Sequence, residues 1–440
     1  MGGNTDSTAD RPLPGVRMSR RSQDMLLSCD LQLDAETDLA DLPAARGVVA
    51  FETSERDTLY LAVCADIRRT ARRRLSPPTP EQRHDRGREL RSATSRILAW
   101  VVGSPFEADC LYLDLVRDRL PGEHRAAISA WQAWFLHINA DEPFPRWMKV
   151  AVPGWSHVSR APGGDLIGPF RDKKAAGKYA ETLDDIFDLC RYHSVLTQAP
   201  HGSACAYKEM GKCPAPCDGS ETMASYKARL RKAINLARTG TAHYRASTEA
   251  RMNEAAAALD FETAERRKSR LDTLRTIEAP SFRCVSTMDA MAWIVVSAAE
   301  RRGWVRLSVA LPGRVRALAS LRAADAAAAV DELAPMTLAE LANHTKHAVN
   351  LAELSESERE LLGLIGAAAH NPAAAKAGLD IFIELRGDDC DAWPRERILR
   401  AAKKVVRSKP APDDDDDGKG ARESLRADLD AGHSGADESP

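Results

Sequence analysis

The spacing Cys190-x14-Cys205-x7-Cys213-x3-Cys217 constrains this chain more than any other feature, because its last pair sits inside Gly211-Lys212-Cys213-Pro214-Ala215-Pro216-Cys217-Asp218-Gly219. Prolines fix φ between the two thiols, and glycines on either side permit sharp turns. Such a loop holds its sulfurs close before any ion arrives. Four thiolates from one short loop complete the tetrahedral shell of zinc or hold the irons of a 4Fe–4S cluster. The plainer reading is ordinary thiols, but three of the nine cysteines fall between Cys205 and Cys217. Spacing alone does not separate zinc from iron–sulfur.

No stretch of the sequence reaches the roughly 18 apolar residues of a membrane helix, and residues 1–23 lack the apolar core of a signal peptide. The expectation is a cytoplasmic protein with no membrane partner, in which clustered cysteines mean metal or catalysis rather than disulfides. Lys and Arg number 62 against 64 Asp and Glu, so net charge does not announce a nucleic-acid partner. Its distribution is uneven, however. Residues 68–96 carry ten arginines against three acids, whereas Asp413 to Asp417 run unbroken. Arg68, Arg69, Arg72 and Arg73 fall within one helical stretch, where clustered guanidinium groups bind DNA phosphates without a metal. A solvated basic face is the plainer alternative.

The pattern predicts an α+β fold with several units and disordered tails. Residues 1–30 form a polar lead-in. Residues 46–52 and 57–64 alternate as two strands of a hairpin, followed by an Arg-rich helix from Asp66 to the break at Pro77-Pro78-Thr79-Pro80. A helix over 106–120 and a strand over 146–152 complete a small α/β unit spanning 40–150. Residues 165–240 hold the cysteine segment between helices over 173–189 and 225–238. Residues 242–280 form a helical hairpin, capped at its second helix by Asp260. The remaining stretch, 281–407, is a mixed α/β domain with a three-stranded meander (293–297, 304–309, 314–317) and Ala-rich helices at 323–334 and 353–369. Residues 408–440 are an acidic tail expected to be disordered.

The hairpin carries its own signal. Met252, Ala255, Ala256 and Leu259 share one face of the first helix; Phe261, Ala264, Leu271 and Leu274 share one face of the second, with Phe261 expected to plug the turn. Two helices of this size cannot bury such faces alone and need a neighbour, either within the chain or in a partner.

The cysteine loop resembles the Cys-rich motif of the UvrC-type excinuclease family, and Met252 to Glu265, with Leu259-Asp260-Phe261-Glu262 and Ala264, resembles its UVR motif. The resemblance covers residues 40–280 and implies a short form without the family's RNase-H-like and helix-hairpin-helix domains. It favours a 4Fe–4S cluster on Cys190, Cys205, Cys213 and Cys217, with zinc as alternative and His193 or His201 as alternative fourth ligands. It implies docking of the hairpin, through Met252, Leu259, Phe261, Glu262 and Ala264, to a UvrB-type protein, and it implies DNA as substrate or partner.

The same resemblance makes residues 40–150 similar to a GIY-YIG nuclease domain. Pro43, Gly47-Val48, Phe51, Leu59-Tyr60 and Glu107-Ala108 fall in family order, and Glu142-Pro143-Phe144-Pro145-Arg146 and Gly168-Pro169-Phe170 follow. That chemistry uses a tyrosine, an arginine and a glutamate that holds one divalent metal. Tyr60 matches the tyrosine of the second triplet. Val49, Thr70 and Tyr112 fall where the first tyrosine, the arginine and the glutamate are expected. The expected function is therefore a catalytically impaired DNA- and partner-binding protein of nucleotide excision repair. One alternative is an active GIY-YIG endonuclease using Mg²⁺ through neighbours such as Arg69 and Asp114; another is a UVR-motif adaptor that does not bind DNA.

Overall fold

Alternating side chains build the first sheet from β1 (Cys29–Gln32), β2 (Gly47–Glu52), β3 (Thr58–Cys64) and β4 (Arg96–Val101), antiparallel in the order β1-β4-β2-β3. The hairpin expected at 46–52 and 57–64 is present, with Val49 opposite Ala62 and Phe51 opposite Tyr60. The computed structural model describes residues 26–33, 37–75, 87–152, 163–346, 353–370, 378–385, 393–408 and 423–425. The period of two sorts the strands' apolar residues cleanly. Val49, Phe51, Tyr60, Ala62, Ile97 and Ala99 join Ile67, Ala71 and Leu75 of helix α1 (Ile67–Leu75) and Leu90 of α2 (Gly87–Ala93) in one core. Val48, Ala50, Leu61, Leu98 and Trp100 face the other way, toward α3 (Pro105–Arg119).

Helix α3 begins at Ser104, whose hydroxyl accepts from the Glu107 N–H at 3.2 Å, with Pro105 in the first turn where its missing N–H costs nothing. Phe106 to Ala108 and Cys110 to Val116 are all buried, so α3 is covered nearly all round, as a core helix must be. Two further sheets meet it. One runs β6-β5-β7-β8, from β5 (Ala133–Ile138), β6 (Met148–Val152), β7 (Asp165–Phe170) and β8 (Ser286–Thr287). The other runs β11-β10-β9-β12, from β9 (Trp293–Ala298), β10 (Trp304–Leu311), β11 (Arg314–Arg322) and β12 (Asp380–Glu384). Every pairing in the three sheets is antiparallel. The α+β expectation holds.

Helices α4 (Lys173–Phe187), α5 (Met223–Thr239), α6 (Ala242–Ala257) and α7 (Phe261–Ile277) follow β7, and Leu183, Leu230, Leu274 and Ile277 share a core with Leu136 and Ile167 of the second sheet. Helices α8 (Ala326–Lys346) and α10 (Arg395–Arg407) cover the third sheet through Val330, Ile398 and Ala402. Helix α9 (Glu356–Ala369) instead sends Leu361, Leu362 and Ile365 into the core around α3. The third sheet is therefore bound to the first through α3. Phe106 N–H donates to Asp380 at 3.0 Å, Arg306 reaches Glu107 at 2.8 Å, and Arg117 reaches Glu360 at 2.5 Å. A Cβ on Gly103 would lie 2.2 Å from the Ala298 carbonyl oxygen, so only glycine allows this approach.

Of the expected lead-in, residues 1–25 lie outside the described residues, and Cys29 and Asp30 already belong to β1, paired with Ala99 and Leu98. The proline break at 77–80 lies outside them too. So does most of the acidic tail, but Glu423–Leu425 forms β13 against β3, with Leu425 opposite Tyr60. That pairing is a local departure from the structureless tail expected from composition. No helix among the described residues is long and apolar enough to cross a membrane.

Candidate functional site

The cysteine loop leaves α4 at Asp188, a left-handed cap with φ 50° whose N–H bonds back to the Asp184 carbonyl. Cys190 and Cys205 are half-buried and Cys213 and Cys217 are buried. Burial pushes the Cys190 thiol up to about 11; the Tyr192 backbone opposes this, and Cys213, Cys217 and Cys205 each add to it. Cys213 is also raised by burial, while the backbone of Ala215 and the charge of Arg229 favour its thiolate. Burial thus favours the neutral thiol at both positions. Among the described residues no three His, Cys, Asp or Glu side chains are drawn to ligating distance of a common point. Between the prolines Ala215 takes φ 59°, and Gly219 takes φ 79° just beyond. Gly202 N–H closes the loop on the Cys217 carbonyl at 2.9 Å. Of the two alternative ligands, His193 Nε2 is held by the Phe144 carbonyl at 3.1 Å, whereas His201 is exposed.

Arg229 braces the loop and gave no sequence signal, since a lone arginine on an amphipathic helix looks like solvated surface. It donates to the carbonyls of Phe187 and Asp188 and to Glu221. Asp184 is a second buried group of this kind. Its carboxylate accepts from Trp147 Nε1 at 2.9 Å, and burial raises it to about 7.

The hairpin divides into an anchored base and a bare tip. Leu271, Leu274 and Ile277 are buried, and Arg270 reaches Asp188 at 2.5 Å, tying α7 to the start of the cysteine loop. Met252, Ala255 and Ala264 are half-buried, while Ala256 and Glu262 are exposed. Leu259 and Phe261 are 73% and 66% exposed. Phe261 does not plug the turn. Asp260 accepts from the Thr263 N–H at 3.1 Å, as expected of a cap, and this starts α7 at Phe261, which stays exposed. Leu259 takes φ 62°, an uncommon conformation for a branched side chain.

The nuclease-like positions do not converge. Tyr60 is 2% exposed, stacked on Phe51 with ring centroids 4.9 Å apart and Arg74 over its ring at 5.5 Å, on the α1 face of the first sheet. Tyr112 is 1% exposed, edge-on to Trp131 at 5.9 Å, in the core on the opposite face. Val49 and Thr70 are buried on the Tyr60 side, and Asp114 pairs with Arg117 at 3.1 Å. Of the candidate phosphate contacts, Arg69, Arg72 and Arg73 are exposed. Arg68 is half-buried and donates to the Leu42 carbonyl at 2.7 Å, which gives it a structural role.

Residues 133–236, from β5 into α5, match the UvrC/Cho excinuclease middle domain. The chain is 24% identical over 239 residues to UvrABC system protein C of Syntrophomonas wolfei, a stretch covering 54% of this chain and 38% of that protein. It is 25% identical over 250 residues to UvrABC system protein C of Gemmatimonas aurantiaca (55% and 38%) and 25% identical over 242 residues to that of Gloeobacter violaceus (54% and 36%). The chain thus spans less than two-fifths of the length of these relatives. No solved structure matches it.

Proposed function

From the premise of a UvrC-type relationship over about half the chain, we propose that this protein serves nucleotide excision repair as a DNA- and partner-binding protein with an impaired GIY-YIG-like unit. The carrying observation is the separation of Tyr60 and Tyr112 onto opposite faces of the first sheet, both buried. A tyrosine that activates water needs access to solvent, and a metal ligand needs an acid in its place. Neither condition is met at these two residues. What remains usable is binding. Arg69, Arg72 and Arg73 present exposed guanidinium groups to phosphate, and Leu259 and Phe261 offer an apolar tip that a UvrB-type helical hairpin would cover.

The cysteine loop supplies the donor types that a metal group takes, although among the described residues no three of them are drawn to a common point. Four cysteine thiols carried by one short loop are the donor chemistry that iron–sulfur or zinc binding uses. Cys190, Cys205, Cys213 and Cys217 would hold it. Such a group would cross-link α4 to α5 and fix the base of the hairpin. Here it is assigned a structural part, with 4Fe–4S preferred over zinc.

The test combines cutting and docking. Supercoiled plasmid incubated with the pure chain and Mg²⁺ or Mn²⁺ should stay closed, while a UvrB-type C-terminal hairpin should be retained by the chain and lost with Phe261→Ala. Metal-dependent nicking abolished by Tyr60→Phe would overturn the impaired reading in favour of an active endonuclease.

A further inference from the structure

A cleft of about 490 Å³ opens where the first and third sheets meet, and neither the cysteine loop nor the hairpin contributes to it. Its walls are the turn at 44–46, the start of α1, the β4–α3 turn, the β9–β10 turn and the end of α10. Gly103 brings the two halves into contact, which makes the cleft a built feature of the junction. Four arginines line it: Arg46, Arg69, Arg301 and Arg302. Two acids also line it, and both are engaged within the protein. Asp66 accepts from the Arg69 N–H at 2.8 Å at the start of α1, and Glu300 is gripped at 3.0 Å by both of its oxygens by Arg306.

The β9–β10 turn adds a flat surface. Arg301 lies over the Trp304 ring at 5.0 Å, and the Trp304 N–H bonds to the Arg301 carbonyl at 3.1 Å, so backbone and ring hold the pair together. Aromatic rings and guanidinium planes are the surfaces on which unpaired bases stack, and arginine also binds phosphate oxygens in pairs. The volume suits one small ligand rather than a duplex.

We propose that this cleft binds a phosphorylated nucleotide unit, its base on the Arg301–Trp304 platform and its phosphate among Arg46, Arg69 and Arg302. The unit is either a free nucleotide or one residue of a single strand. This goes beyond the phosphate contact proposed for α1, with which it shares only Arg69.

Fluorescence anisotropy of a labelled oligodeoxyadenylate, titrated with the full chain at low salt, tests it. Trp304→Ala should weaken binding about tenfold, the loss expected for one stacked base. Arg302→Glu, an exposed position that leaves the fold untouched, should weaken it as well and flatten its salt dependence. Displacement of the oligonucleotide by deoxyadenosine monophosphate supports a free-nucleotide occupant, and displacement only by longer strands supports a single strand. Wild-type affinity in both variants, or no single-strand binding at all, overturns the proposal. The double variant Arg72→Glu/Arg73→Glu separates the two readings: it should weaken duplex binding and spare the single strand. A pattern in which it abolishes both, with the cleft variants silent, leaves α1 as the DNA contact and removes the cleft.

Discussion

Glu107 and Arg306 meet at 2.8 Å inside the junction of the first and third sheets, although 199 positions separate them in sequence. Burial raises Glu107 from its ordinary value of 4.5 to about 7, Arg306 pulling the other way and Glu300 and Asp380 adding to the rise. A carboxyl raised on folding keeps its proton where the unfolded chain has lost it. It therefore subtracts stability as pH climbs from about 4.5 to about 7, and the loss persists above. Glu107→Gln removes this slope. Urea midpoints should favour the variant more at pH 8 than at pH 5, by roughly 1–3 kcal/mol; an equal difference at both pH values would count against a raised Glu107.

Tyr112 fills the core beneath Trp131. Placing an acid there with Tyr112→Glu should not create a nuclease. It should bury an unpaired carboxyl and cost several kcal/mol, read as a lowered thermal midpoint. A stable Tyr112→Glu protein that nicks plasmid would show that the site rearranges more readily than its packing implies.

Leu259 sits at φ 62° with its side chain in solvent. Leu259→Gly relieves the left-handed conformation and should raise stability by about 1 kcal/mol, while docking of a partner hairpin weakens. The opposite signs are the diagnostic. A variant that loses both would place Leu259 in the fold and not at the interface.

Metal occupancy of the cysteine loop should be visible as iron and sulfide, with broad visible absorbance, in anaerobically purified protein. Cys213→Ser should abolish it and lower the unfolding midpoint, since the buried loop then lacks its cross-link. Cys64→Ser, at a buried thiol in the α1-side core, should leave occupancy unchanged. Zinc without iron would reverse the preference for a cluster.

Local patterns were legible where the chain alternates or repeats. The β2–β3 hairpin, α3 to within a residue, the two helices of the tip and the Asp260 cap were all readable, because each is set by near neighbours. Strands β4, β5, β7 and β12 were not foreseen. Leu98 and Trp100 are core residues only because α3 lies across them, and α3 is covered in turn by residues near position 360 and beyond. Tyr60 reads as a candidate base in sequence and proves to be a packed ring for a nearer cause, the cover of Phe51 and helix α1 on the other face of the sheet. The cleft was invisible for a related cause: Arg46 and Arg302, from two loops, and Arg69, from the first turn of α1, are assembled only by the fold. Phe261 shows the converse, since its helical spacing suggested burial while its place on the first turn of α7 directs it outward.

The bond from Phe106 N–H to Asp380 spans 274 residues. During synthesis at roughly 5–20 residues per second, α3 would emerge tens of seconds before β12 exists to cover it. Until then Phe106 lacks the ring of Phe382, and Leu111 and Tyr112 lack the Leu361, Leu362 and Ile365 side chains that share their core. What waits on the last strand of the third sheet is thus the cover of α3 and not the pairing of the first sheet's own strands.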